Sequence, residues 1–540
     1  MAQMAISDAR AREQDHMPRL VLALLQSRAY PHTTAKIEHL QTHISHVFLT
    51  GPWAYKIKKP LALGFLDFST LEKRRDCCHE ELRINRRLAP DLYASVVAIT
   101  GTADQPCVEG SGTHIEYAVK MRQFAQEGML EQVLARGELT AALIDAIAQD
   151  VADFHTGLAP AGPDTPFGTP ESVMGPALQN FDQLTPMPAA AADGAVLASL
   201  KQWTIAQHAG LDELFLARKR NGFVRECHGD LHLGNMVMVD GRVRIFDALE
   251  FNAQLRWIDV INEAAFLGMD LEQRGRGDLA WRFLNAYLQH TGDYAGAQLL
   301  RYYMVYRALV RAKVAGIRAA QSDLQPAQRT ALEAKCHNHV ALAHRLATST
   351  RPALIIHYGL SGSGKTTASQ VILEHLGALR VRSDVERKRL QGLAASARTG
   401  SDIGAGIYGA EAGSATYARL ARAAEDVVRG RCIALIDATF LRRADRDTFR
   451  TLARRLGIPF GIAEFAARPE TLRSRVLQRE CESRDASEAG LEVLEHQLRV
   501  CESLSAEERA MASTFDTEHM GVEEIRTESQ RMLARLSANT

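Results

Sequence analysis

His228-Gly229-Asp230-Leu231-His232-Leu233-Gly234-Asn235, followed by Ile245-Phe246-Asp247, is the stretch on which the fold of the first half turns. Between its two parts lie Met236–Val239, an Asp240-Gly241 turn and Val243–Phe246, a pattern that predicts a tight β-hairpin. Such a hairpin brings Asn235 and Asp247 side by side at its open end. Kinase-type phosphoryl transfer needs a carboxylate to accept the hydroxyl proton, then an amide oxygen for a metal. Beyond these it needs a carboxylate for the metal that bridges the phosphates. Asp230, Asn235 and Asp247 suit these three roles in that order.

Upstream, Val47–Thr50, a Gly51-Pro52 turn and Ala54-Tyr55-Lys56-Ile57-Lys58 predict paired strands, the second alternating apolar and basic residues. A charged helix is expected from about Ser69, its cap, to Leu88, stopped by Ala89-Pro90. Asp164–Ala192, rich in Pro, Ala and Gly, reads as a loop-rich excursion. Leu255 to about Ala347 is helical in pattern. His155 reads as a packing or hydrogen-bonding histidine.

A second signature lies in Gly359-Leu360-Ser361-Gly362-Ser363-Gly364-Lys365-Thr366-Thr367, directly after the apolar run Ala353–Tyr358. It fits the Walker A pattern, in which glycines let consecutive backbone N–H groups converge on a phosphate at a helix N-terminus. Gly359 to Thr367 are therefore the candidate nucleotide-binding residues. Lys365 is expected to reach the β- and γ-phosphates and Thr366 to hold Mg²⁺. The strand Ile433–Asp437 ends in Asp437, a second candidate metal residue. Alternating strands (Ala353–Tyr358, Ile433–Asp437, Phe460–Ala466) and helices (Lys365–Leu376, Asp445–Leu456) predict a parallel sheet with crossover helices. Asp384 could act as base on an acceptor hydroxyl, and Arg387 could hold the acceptor's anionic group. Arg473, Arg475, Arg479 and Arg484 punctuate a helix-to-loop region, and the i, i+4 pair Arg475 and Arg479 is favoured as a lid over the triphosphate.

The segment His228–Asp247 resembles the aminoglycoside phosphotransferase-like family, and the resemblance spans roughly residues 35 to 330. It implies the bilobal fold of protein kinases with ATP between the lobes. It also implies an N-lobe lysine on the phosphates held by a helix glutamate. Lys58 is the first choice for that lysine with Lys56 as fallback, and Glu81 is preferred to Glu80. No glycine-rich loop is evident, and Ala248-Leu249-Glu250 follows the metal aspartate. Residues 353 to about 520 look like the P-loop kinase group; Asp437-Ala438-Thr439-Phe440 is similar to the corresponding segment of polynucleotide 5′-kinases and zeta-toxin-like kinases.

The expected architecture is thus a multidomain α/β and α+β chain. A bilobal protein-kinase-like domain (1–345; N-lobe about 35–122, helical C-lobe about 123–345) is followed by a linker (346–352). A P-loop parallel-sheet α/β domain (353–540) completes it. The 540 residues carry 64 Lys+Arg against 64 Asp+Glu and only 6% aromatics, which argues against a long nucleic-acid groove. No apolar stretch approaches the roughly 20 residues that cross a bilayer, no signal-peptide layout opens the chain, and no C-x-x-C pair occurs, so a cytoplasmic protein is expected. The leading functional expectation is an ATP- and Mg²⁺-dependent phosphotransferase acting on hydroxyl groups of small molecules. Alternatives are a regulatory protein whose first half is a pseudokinase, and a polynucleotide 5′-hydroxyl kinase in the second half.

Overall fold

A computed structural model describes residues 17–538 except 43, 63–65, 322–323, 396, 398–409 and 483–489. The chain forms two compact units, each assembled from separate stretches. The first comprises the chain up to Thr140, Gly157–Gly175 and Glu213–Glu263; the second comprises Ala141–Thr156, Pro176–Asp212 and Ala264–Thr540.

In the first unit, β1 (Glu38–Gln41), β2 (Ser45–Leu49), β3 (Trp53–Lys58), β4 (Tyr93–Thr102), β5 (Gln105–Val108) and β6 (His114–Arg122) form an antiparallel sheet. Its strand order is β1-β2-β3-β6-β4-β5. The period of two in β3 turns Tyr55 and Ile57 into a core with Phe48, Ile99 and Ala118. Lys56 and Lys58 consequently share the other face. Helix α1 (Leu71–Asn85) buries Arg74, Cys78, Glu81 and Asn85, residues spaced along one helical face. Its cap is Thr70, whose hydroxyl accepts from Lys73 N at 3.3 Å. This corrects Ser69, whose hydroxyl donates instead to Asp67 Oδ1 at 2.6 Å.

The expected hairpin is present as β8 (Met236–Val239) and β9 (Arg242–Ile245), paired Met236↔Ile245 through Val239↔Arg242. Asp240 and Gly241 both take positive φ (50° and 75°), the combination that matches a two-residue turn to strand twist. Beneath it β7 (Val224–Glu226) pairs antiparallel with β10 (Trp257–Asp259).

The second unit carries helices α2 (Ala141–Gly157), α3 (Pro170–Leu184), α4 (Gly194–Ala209), α5 (Val260–Gln273), α6 (Gly277–Thr291), α7 (Ala297–Ala319) and α8 (Pro326–Thr348), of which α2, α3 and α5 begin or end in the first unit. Helix α3 replaces the loop expected over 164–192. Ala177, Phe181 and Leu184 bury one helical face there, and this outweighs the local cost of Pro176. His155 accordingly sits in a packed core, its Nδ1 2.9 Å from the Tyr287 hydroxyl.

A fully parallel sheet follows in the order β12-β13-β11-β14-β15. Its strands are β11 (Ala353–Tyr358), β12 (Ala378–Arg382), β13 (Ile433–Asp437), β14 (Phe460–Ala466) and β15 (Ala512–Asp516). Crossover helices include α9 (Lys365–Leu376), α10 (Ser383–Leu390), α11 (Ala410–Arg429), α12 (Arg443–Leu456), α13 (Pro469–Glu482) and α14 (Leu491–Val500), and α15 (Val522–Ala538) follows the last strand. Edge strands β12 and β15 escaped the sequence reading because both are short and interrupted by polar residues.

The linker expected at 346–352 does not divide the compact units; α8 itself continues to Thr348. Instead the helical segments belong with the P-loop sheet. Arg282 Nη1 meets Glu374 Oε1 at 2.7 Å, and Arg380 N donates to Asn285 Oδ1 at 2.7 Å. Arg419 Nη2 donates to Gly292 O at 2.9 Å. A Cβ at Gly430 would lie 2.3 Å from Ala297 O, so backbone packs directly on backbone there. Among the described residues, no helix is long and apolar enough to cross a membrane.

Candidate active sites

In the first unit Lys56, Lys58, Glu81, Asp247 and Glu250 form one ion network. Lys56 Nζ donates to Glu81 Oε1 at 2.8 Å and also to Asp247. Lys58 donates to Glu81 and to Glu250. The Lys58 side chain is wholly buried, whereas Asp247 is 39% exposed. Lys56 therefore stands beside the solvent-facing carboxylate, and Lys58 lies behind it in the core. Of the two, Lys56, the fallback, is the lysine on the solvent-facing side. Burial opposes charge on Lys56, but Asp247 and Glu81 outweigh it and hold the ammonium well above its usual range. Glu81, as expected, is the helix carboxylate between the lysines, while Glu80 pairs with Arg83 at 2.7 Å.

Asp247 has φ of 64°, a left-handed conformation costly for a non-glycine residue, and it follows the hairpin directly. Its amide donates to the Tyr93 hydroxyl at 3.1 Å, and the next amide, of Ala248, donates to Asn85 Oδ1 at 2.9 Å. Across the hairpin, Asn235 Nδ2 donates to Asp230 Oδ2 at 2.8 Å and to Asp230 O at 3.0 Å. His232 Nε2 lies 3.3 Å from the same Asp230 carboxylate oxygen. Glu263, buried, accepts the backbone N–H groups of both His228 and Gly229. Gly229 has φ of 87°, and a Cβ there would come within 3.0 Å of Leu255 O. Glycine is thus required for the loop that presents Asp230.

In the second unit the Walker loop leads from β11 into α9. Gly362 and Gly364 adopt positive φ (82° and 78°), as the turn of the loop requires. Lys365 Nζ donates to Gly359 O at 2.9 Å and to Leu360 O at 2.7 Å. Burial pulls its ammonium down to about 8. Thr366 Oγ1 donates to Asp437 Oδ2 at 3.1 Å, joining the first helical turn to the end of the neighbouring strand. Although burial acts to raise it, the His357 hydrogen bond with the Arg380 and Arg382 charges holds the Asp437 carboxyl well below the usual range.

A cavity of about 330 Å³ opens over this loop. It brings together Ser361, Gly362, Gly364, Lys365, Thr366, Thr367, Asp384, Arg387, Asp437, Arg475 and Arg479, residues from four separate parts of the sequence. Arg387 Nη1 lies 3.4 Å from Asp384 Oδ1. Gly359, Leu360 and Ser363 belong to the loop but do not line the cavity. Arg475 is tied down, with Nη1 donating to Thr517 Oγ1 at 2.9 Å and Nη2 to Thr517 O at 2.8 Å. Arg473 pairs with Glu495 at 2.7 Å, away from the cavity. Arg484 lies outside the described residues.

Residues 66–300 match the model of the phosphotransferase enzyme family, and residues 354–504 match an AAA domain. Over 455 residues the chain is 30% identical to an uncharacterized protein of Mycobacterium tuberculosis strain H37Rv. That alignment covers 84% of this chain and 88% of the relative. The same identity and coverage hold for a protein of Mycobacterium bovis. The chain belongs to this two-domain family. It is a phosphotransferase that joins a kinase-like domain to a P-loop kinase domain. Among solved structures, a choline/ethanolamine kinase family protein from Mesorhizobium loti aligns at TM-score 0.33 and 15% identity, covering 58% of this chain and 93% of its own. A gluconokinase from Sinorhizobium meliloti aligns at TM-score 0.25 and 23% identity, covering 35% and 97%.

Family membership does not by itself identify every residue at the two sites. Glu263 in the first unit, and Tyr417 and Gln497 in the second, had no assigned role in sequence, whereas Glu250, read as a second metal ligand or the partner of a base, pairs with Lys58. Gln497 Oε1 accepts the Ser361 amide of the Walker loop at 2.8 Å. Tyr417 lines the cavity and is held neutral, burial pushing its hydroxyl up to about 12. Only Glu250 left a signal, three residues beyond the metal aspartate.

Proposed function

We propose that this two-domain protein is an ATP-dependent phosphotransferase with two nucleotide sites, each passing the γ-phosphate to a hydroxyl group of a small molecule. The observation that carries the reading is the cavity over the Walker loop, where a phosphate-binding lysine, a metal-type oxygen pair and an acceptor-side carboxylate with its arginine share one wall. In this site Asp384 accepts the acceptor's hydroxyl proton, Arg387 orients the acceptor, and Arg479 leans over the phosphates from α13. Lys365 leaves the loop carbonyls to meet the β- and γ-phosphates. Arg475, bound to Thr517, positions the lid helix rather than reaching the substrate.

In the kinase-like site Asp230 takes the hydroxyl proton, with His232 and Asn235 fixing its carboxylate. Lys56, clamped by Glu81, holds the phosphates, and Lys58 with Glu250 supports that clamp from the core. The donors fit Mg²⁺, which prefers hard oxygen ligands. Thr366 and Asp437 would hold it in one site, Asn235 and Asp247 in the other. Bound there, the metal neutralises charge on the phosphate oxygens. The cytoplasm, with its ATP, is the compartment in which such an enzyme works.

A metabolite panel screened for ATP consumption tests the reading, run on the full chain and on the single-site variants Asp230→Asn and Lys365→Ala. Each variant should abolish turnover of a different subset of acceptors. Full γ-phosphate turnover in the Asp230→Asn/Lys365→Ala double variant would sink the assignment. A regulatory first half would show as nucleotide binding there with no acceptor lost in Asp230→Asn. Phosphorylation of an oligonucleotide 5′-hydroxyl would redirect the second site to nucleic-acid ends.

A further inference from the structure

A second cavity in the unit that holds the Walker loop, of about 440 Å³, shares no lining residue with the first. Its walls come from α5 to α9 and α15, residues 349–351, the glycine before β12, and the start of β13 with the turn that leads into it. Four arginines line it: Arg301, Arg345, Arg351 and Arg431. None of them makes an ion pair with a carboxylate among the described residues. Arg301 is half-buried and Arg345, Arg351 and Arg431 are exposed, whereas the buried arginines Arg74, Arg218 and Arg446 are each matched to an acid.

Glu272 is the lone acid in the lining, and its Oε1 already accepts from Trp281 Nε1 at 2.9 Å. Burial pushes the Glu272 carboxyl up, which makes it a weaker counter-charge still. Arg301 is half-buried against the Trp203 ring, its guanidinium 5.3 Å from the ring centroid. Burial and then repulsion from Arg431 both act against its charge. An anion held between Arg301 and Arg431 would relieve that repulsion. Planar guanidinium groups are also the donors best matched to phosphate oxygens.

We infer that this cavity is a binding site for a small phosphate-bearing metabolite, separate from the Walker-loop site. Its volume suits a compact ligand rather than a nucleic-acid strand. It lies at the amino end of β11, and the Walker loop begins at the carboxyl end. The six residues of that strand separate the two by about 20 Å, too far for phosphoryl transfer between them. The ligand is therefore neither acceptor nor donor at the Walker site but another molecule held where α8 joins the P-loop sheet. This goes beyond the proposed phosphotransfer and does not depend on it.

The test is equilibrium binding of inorganic pyrophosphate to the full-length chain by calorimetry. In Lys365→Ala/Asp247→Asn protein, with both nucleotide sites disabled, a pyrophosphate site should remain. In Arg301→Gln/Arg345→Gln protein that site should weaken at least tenfold. Should the latter fail to fold, Arg351→Gln/Arg431→Gln, both at exposed positions, should give the same weakening. Loss of all pyrophosphate binding in the Lys365→Ala/Asp247→Asn protein would overturn the inference. Unchanged affinity in the arginine variants would overturn it equally.

Discussion

In the first unit, five charged side chains meet in one ion network at the hinge of strand, helix and hairpin. In the second, phosphate handling rests on backbone: a glycine loop, a helix start, and a lysine that donates to that loop's own carbonyls. The first arrangement places Lys58 and Glu81 wholly out of water. Charges so buried hold together only while every partner is present. The second arrangement buries Asp437 and Arg380 as well, but its lysine donates only to backbone carbonyls and its loop depends on φ values that only glycine adopts without strain. Removing a lysine should therefore cost fold as well as chemistry at Lys58 in the first site, and chemistry alone at Lys365 in the second.

The largest expected effect tests the shared part of the comparison. Asp230→Asn, made in a Lys365→Ala background, should lower the remaining ATP turnover by about 10²–10⁴-fold with unfolding in urea unchanged. The reciprocal experiment, Lys365→Ala in an Asp247→Asn background, should cost about 10²–10³-fold at the Walker site. If either change also shifts the urea midpoint strongly, the separation of chemistry from fold is broken.

Next comes the pair that distinguishes the two lysines. Lys58→Met leaves Glu250 and Glu81 short of a buried partner and should lower the unfolding free energy by about 3–5 kcal/mol. Lys56→Met should cost less stability but lose nucleotide affinity in the first unit, read by fluorescent-nucleotide titration. Equal stability losses would mean that both lysines are structural. The smallest effect is expected at the surface of the second unit. Arg526 is 41% exposed in its pair with Glu523, itself 78% exposed, and Arg526→Gln should cost only about 0.2–1 kcal/mol.

Much of both sites was legible in the chain because their chemistry is local. The Walker loop and the catalytic-loop hairpin each place several functional atoms within a dozen residues, and local turn rules give their geometry. Asp437 was legible because a buried strand ending in a carboxylate beside a P-loop has few other readings. The choice between Lys56 and Lys58 was not. A period of two puts both on one face, and what separates them is Glu250, which reaches Lys58 only through the fold. Glu263 and Gln497 were invisible for the same reason: each acts by accepting a backbone amide far away in sequence. Helix α3 was misjudged because propensity weighed Pro176 and the small residues, while burial of Phe181 and Leu184 decided the outcome.

The boundary between the units differs from the one that sequence composition suggests, and this bears on how such a chain can be inherited. The P-loop sheet shares its unit with helices encoded more than 200 residues upstream of Walker strand β11. A recombination event that carried away only residues 353–540 would strip Asn285 from the Arg380 amide and Arg282 from Glu374, and would bare the backbone of Gly430 where Ala297 now lies. A chain that inherited only residues 353–540 would have to replace those contacts.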